Sequence, residues 1–144
     1  MIVGFSIRYI SAERKTRPKG RINIKSTPNI VSISQTKSGL MRKKKPLDVG
    51  FEFTTKYEPD VGEIKIIGNA FYIGKGMKKI MNNWKKEKKL PKEFEIEIKN
   101  FLFRKCLSIG LTLSENMQLP PPIMFPAIIP KRTPKKPENL TYIG

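Results

Sequence analysis

The sequence predicts an α+β fold, with strands in the first half of the chain and helices after them. In several stretches between residues 3 and 73 apolar side chains alternate with polar or small ones, the period of a half-buried strand. Between residues 77 and 117 the spacing changes to three or four, the period of a helix face. The run Pro120-Pro121-Pro122 then stops the last helix, because proline has no N–H to donate and clashes with the preceding turn.

Taken in order, Val3, Phe5, Ile7 and Tyr9 form the first alternating stretch. Residues 13–21 follow as a basic loop without periodicity, expected to lack order unless a partner is bound. Ile22 and Ile24 open a second strand that Thr27-Pro28 interrupts and Val31 and Ile33 resume, with Pro28 marking an edge or a bulge. After Gly39 comes the densest basic run, Arg42-Lys43-Lys44-Lys45-Pro46. The clearest strand is next: Val49, Phe51, Phe53, Thr55 and Tyr57 share one face, and Gly50, Glu52, Thr54 and Lys56 the other. Glu58-Pro59-Asp60-Val61-Gly62 is turn chemistry, so residues 63–73 pair back as a hairpin. Ile67, Phe71 and Ile73 make that strand apolar on its second face too, which predicts a central strand buried on both sides with a bulge at Gly68.

Gly74 and Gly76 release a first helix, in which Met77, Ile80, Met81 and Trp84 give the apolar face and lysines fill the rest. Trp84 is expected to pack rather than stack on a base. A long helix over 91–117 follows, with Phe94, Ile98, Leu102, Cys106, Ile109, Leu113 and Met117 expected to be buried. Pro91 suits its first turn, and Glu93, Glu95 and Glu97 favour the positive end of its dipole. Phe101, Phe103, Leu107 and Leu111 widen its stripe beyond the needs of one small sheet, so the helix should touch something else as well. Residues 123–130 should lie extended over the core, and 131–144 form a basic, proline-rich tail.

Composition narrows the function. The 144 residues suit one modest core, and no run of 18 apolar residues exists to span a membrane. The first 12 residues are too short and too interrupted for a signal peptide, so a cytoplasmic location is expected. The single cysteine, Cys106, falls on an apolar helix face and reads as core. Histidine is absent, which removes the commonest general base and metal ligand. A non-enzymatic protein without cofactor or metal is expected; Glu58, Asp60 and Glu63 read as a solvated turn, and Gly74-Lys75-Gly76 lacks the spacing of a phosphate loop.

Charge is the strongest compositional fact. The net charge is +17, and residues 1–46 carry 12 Lys/Arg against one acid, Glu13. Residues 47–130 carry 13 against 10, and residues 131–144 four against one. A nearly balanced body with basic extensions points to a polyanion, of which nucleic acid is the usual one. The candidate phosphate contacts are Arg8, Arg14, Lys15, Arg17, Lys19, Arg21 and Lys25, then Arg42, Lys43, Lys44 and Lys45, and Lys131, Arg132, Lys135 and Lys136 in the tail. Arginine adds bidentate phosphate bonds and stacking on bases. Phe51 and Phe53 share a strand face like the aromatics of RNA-binding sheets, but the long helix needs that face. No segment joins basic charge to an apolar anchor, so a membrane partner is not expected.

A resemblance adds to this reading. The block 22–130 is similar to the SecB-like family, particularly its compact archaeal members. It is carried by Ser26-Thr27-Pro28-Asn29-Ile30, Gly50-Phe51-Glu52-Phe53, the run 57–64, Ile67-Gly68-Asn69-Ala70, Trp84, Asn100, Arg104-Lys105-Cys106 and Leu119-Pro120-Pro121-Pro122-Ile123. The resemblance implies a twisted antiparallel sheet of about four strands crossed by a long C-terminal helix. In the bacterial relatives it also implies dimers of dimers that hold unfolded preproteins in apolar grooves.

The sequence departs from that family in its strong basic charge, its first 21 residues and its basic tail. The expected organisation is therefore an apolar strand with a basic extension over 1–21, a SecB-like α+β domain over 22–130, and the tail over 131–144. The expected function is RNA binding, as a ribosomal or ribosome-associated protein that meets rRNA and neighbouring ribosomal proteins. The alternatives are a SecB-like chaperone, with protein clients or a homo-oligomer formed through the core, and an adaptor that binds a partner by strand addition.

Overall fold

The computed structural model describes residues 1–36, 45–124, 126–128 and 130. It is an α+β fold of four antiparallel strands and two helices: Ile2–Arg14 (β1), Asn23–Gln35 (β2), Leu47–Glu58 (β3), Gly62–Tyr72 (β4), Met77–Glu87 (α1) and Lys92–Asn116 (α2). The sheet order is β1-β4-β3-β2, so β2, β3 and β4 meander while β1 returns beside β4 in Greek-key order. The boundary expected after residue 21 therefore falls between two strands of one sheet. β1 runs past Tyr9 to Arg14, with Phe5 opposite Ala70 and Glu13 opposite Glu63 on β4.

One face of the sheet is the core. Leu47, Val49, Phe51, Phe53 and Tyr57 of β3 and Ile64, Ile66 and Ala70 of β4 are buried beneath α2, as period-two alternation requires. Phe5 stacks on Phe51 with ring centroids 5.5 Å apart, and Phe101 and Phe103 of α2 meet Phe5 and Phe53 edge-on. The aromatic pair Phe51 and Phe53 is thus closed to any base. β4 is central as expected, but its second face is only half-buried at Ile67 and Phe71, because among the described residues no layer covers that side.

Two local expectations are corrected. The bulge assigned to Gly68 lies opposite it, in β1: Ile7 pairs with Gly68 and Tyr9 with Ile67, leaving Arg8 as the extra residue. Gly68 is needed for a different reason, since a Cβ there would lie 2.1 Å from the Ser6 carbonyl oxygen. β2 is one continuous strand through Pro28, which pairs with Phe53. As an edge strand it needs no N–H at that position on its open side.

α2 buries Phe94, Ile98, Leu102 and Cys106 as expected, then Gly110 and Ser114 in place of Ile109 and Leu113. Steps of four overshoot each turn by about 40°, so the buried line winds round the helix as it crosses the sheet. The small residues admit the returning chain: a Cβ on Gly110 would touch Pro122 Cγ at 3.6 Å. The helix ends with Gln118 at a positive φ of 56°. The Leu119 N–H then reaches the Ser114 carbonyl at 2.9 Å, a Schellman-type stop with buried Leu119 as its apolar contact. The 119–123 run thus packs on its own core. Beyond it Met124, Pro126, Ala127, Ile128 and Pro130 are exposed, so the described residues of 124–130 do not cover the core as expected.

Candidate nucleic-acid interface

Among the described residues, the basic side chains singled out from sequence do not form one surface. The largest group gathers where β1 ends, beside the β3–β4 hairpin. Arg14 is the last residue of β1, and Arg17, Lys19 and Arg21 are exposed on the connection 15–22 that crosses to β2. That connection is anchored at its start. The Lys15 and Thr16 N–H groups donate to the Val61 carbonyl at 2.7 and 3.3 Å. The Lys15 ammonium also holds the Asp60 carboxylate at 3.0 Å, which raises the Lys15 pKa through that hydrogen bond and the carboxylate's charge. Arg14 Nη1 donates to Gln118 Oε1 at 3.2 Å.

The sequence-predicted contacts at this end therefore divide. Lys15 is engaged by Asp60 and Arg14 by Gln118, whereas Arg17, Lys19 and Arg21 meet no acid among the described residues. Lys25 lies on the open face of the sheet, directly opposite Lys56 of β3. Like charges facing across a ladder destabilise it, and Glu63, opposite Lys56 on the other side, offsets part of that repulsion. Lys25 and Lys56 line a shallow polar groove of about 280 Å³ with Thr27, Asn29, Glu52 and Thr54. Of the acids of the hairpin turn, Asp60 pairs with Lys15, and Glu63 with Lys65 at 3.8 Å.

Arg8 stands alone, exposed at the bulge of β1. Lys45 precedes β3 at the opposite end of the sheet. A twelve-residue strand separates it from the hairpin by about 37 Å. Arg42, Lys43, Lys44, Lys131, Arg132, Lys135 and Lys136 lie outside the described residues.

Sequence reasoning undervalued a second cationic zone. Residues 75–92 hold eight lysines (75, 78, 79, 85, 86, 88, 89 and 92) against one acid, Glu87. Helical spacing puts Ile80, Met81 and Trp84 of α1 toward the core, with Ile80 buried, and leaves Lys78, Lys79, Lys85 and Lys86 exposed on the other side. Trp84 is half-buried against the core as expected, with Lys88 Nζ 5.0 Å from its ring centre. Lysines in the first turn oppose the helix dipole, and no acid or side-chain cap relieves them. The signal was available in the sequence, but averaging over 47–130 hid it behind acids of the sheet and of α2.

Burial also settles which groups are chemically quiet. Burial pushes the Cys106 thiol up to about 12, so it is not a nucleophile at neutral pH. Burial likewise pushes Tyr57 up to about 12. No helix among the described residues is long and apolar enough to cross a membrane. Comparison of the chain with family models, curated proteins and solved structures finds no match.

Proposed function

We propose that this is a non-enzymatic RNA-binding protein of ribosomal or ribosome-associated type, gripping rRNA with basic segments that project from an α+β body. The observation that carries the reading is the exposed trio Arg17, Lys19 and Arg21, held on an anchored connection with no acid beside it among the described residues. Exposed cations left without acid partners cost stability through repulsion, and a phosphate backbone removes that cost by releasing counterions. Arg42 to Lys45 and the basic tail extend the same chemistry along the chain. A cytoplasmic site of action accompanies this reading.

The test is neutralisation rather than excision, because residues 23–35 form β2 and cannot be deleted without losing the sheet. Arg17→Gln, Lys19→Gln and Arg21→Gln, combined with Gln at Lys131, Arg132, Lys135 and Lys136, should abolish co-sedimentation with ribosomal subunits at moderate salt. Wild-type protein that purifies free of nucleic acid and ignores rRNA at low salt would overturn the reading.

A second reading, the client-holding role that the SecB-like resemblance implies, is favoured by one observation. Large apolar side chains stand exposed on two elements, Ile96 of α2 at 51% and Ile10 of the edge strand β1 at 43%. That role requires suppression of aggregation of a denatured protein, at a level that does not change with salt.

A further inference from the structure

We propose that α1 is a second phosphate-binding surface, separate from the 15–22 connection, and that the protein joins two RNA segments. The inference rests on the RNA-binding reading above and specifies how many RNA contacts the body makes. Four residues separate α1 from Tyr72, the last residue of β4, which pairs with Leu47 of β3. It therefore starts at the end of the sheet farthest from the hairpin. Arg17, Lys19 and Arg21 lie on the connection at the other end. α1 runs back from its start until Trp84, with Lys88 and Lys89 just past its end, lies beside Asn29 and Ile30 of β2. One continuous RNA contact would have to follow β2 from Arg21 to Asn29, past Glu52 on the open face, which Lys65 holds at 3.4 Å.

The composition of α1 is not that of a merely solvated helix. Solvated helix faces interleave signs and gain from acid–base pairs one turn apart, as Glu95 and Lys99 do on α2. α1 has lysine pairs at 78–79 and 85–86, no acid in its first turn, and among the described residues no ion pair to any of its lysines. At the first turn Lys78 and Lys79 face the positive end of the dipole with no acid or side-chain cap to offset them, whereas Lys85 and Lys86 suit the last turn but pair with no acid among the described residues. Such conflicts mark surfaces whose partner supplies the missing charge. The class of partner follows from the side chains. Ammonium groups on a rigid rod hold phosphates as point charges without reading bases, which suits the backbone of a duplex.

The experiment uses the full chain and two RNA duplexes of about 20 base pairs, one carrying a donor dye and the other an acceptor. Wild-type protein should bring them together, with energy transfer at a stoichiometry of one protein to two duplexes by sedimentation. The variant Lys78→Gln, Lys79→Gln, Lys85→Gln, Lys86→Gln keeps helix-forming side chains, and circular dichroism checks that it folds. It should still bind one duplex, give no transfer, and lose about 3 from the slope of log affinity against log salt. Transfer and slope equal to wild type would overturn the proposal. So would transfer carried by a complex of two proteins and two duplexes. Wild-type protein that binds one duplex and never two defeats this proposal alone, whereas wild-type protein that binds none defeats the RNA-binding reading with it.

Discussion

The Tyr57 hydroxyl donates a 2.8 Å hydrogen bond to the Pro120 carbonyl, across 63 residues of chain. It ties the segment leaving α2 to the hairpin end of β3. Proline carbonyls in a run without regular structure have no ladder to join, so a buried one needs a side-chain donor. Tyr57 supplies it from within the core, and Leu119 and Pro122 then seat against the body.

Tyr57→Phe removes the donor and leaves that carbonyl without its partner. A loss of about 1–2 kcal/mol in urea denaturation is expected. The same variant should increase proteolytic cleavage after residue 118, because the run is no longer tethered. An unchanged midpoint would mean that the carbonyl finds water without cost.

Stability should fall at high pH. Tyr57 and Cys106 have ordinary values of 10.0 and 9.0, and burial pushes each up to about 12 in the fold. Both groups bind their protons more tightly folded than unfolded, so their contribution is complete below pH 9 and is lost as pH climbs toward 12. Denaturation midpoints measured from pH 8 to 11 should decline, and less steeply in Tyr57→Phe. At pH 8, labelling of Cys106 by a thiol reagent should proceed only as fast as the protein opens.

Two glycines should respond oppositely to alanine. Gly68→Ala places a Cβ 2.1 Å from the Ser6 carbonyl oxygen, so β1 must move away from β4. A loss of about 3 kcal/mol is expected, in the range of severe core mutations. Gly110→Ala meets only Pro122 Cγ at 3.6 Å, an ordinary contact within a helix. Thermal denaturation should show it stabilised by about 0.5–1 kcal/mol, the backbone advantage of alanine.

The basic connection should show unequal contributions to RNA binding. Lys15→Gln should leave affinity nearly unchanged, because Asp60 already occupies that ammonium. Arg17→Gln, Lys19→Gln and Arg21→Gln should each lower the salt slope by about 0.7–0.9 in filter-binding titrations. Equal effects at all four positions would mean that the Lys15–Asp60 pair opens when RNA binds.

The alternation of Val49, Phe51, Phe53, Thr55 and Tyr57 determined by itself that β3 has a buried face, and the tetrad spacing of Phe94, Ile98, Leu102 and Cys106 determined the face of α2. Both signals are local, since period alone decides which side chains share a side. The tertiary structure decided where β1 pairs, that the bulge belongs to Arg8 rather than Gly68, and that Gly110 and Ser114 replace Ile109 and Leu113 beneath the returning prolines. These depend on which segments approach one another, which spacing within one segment does not encode. The same holds for the charges. Arginine and lysine counts announced an anionic partner, but only folding separated Lys15, neutralised by Asp60 from a distant turn, from the exposed cations of the connection and of α1.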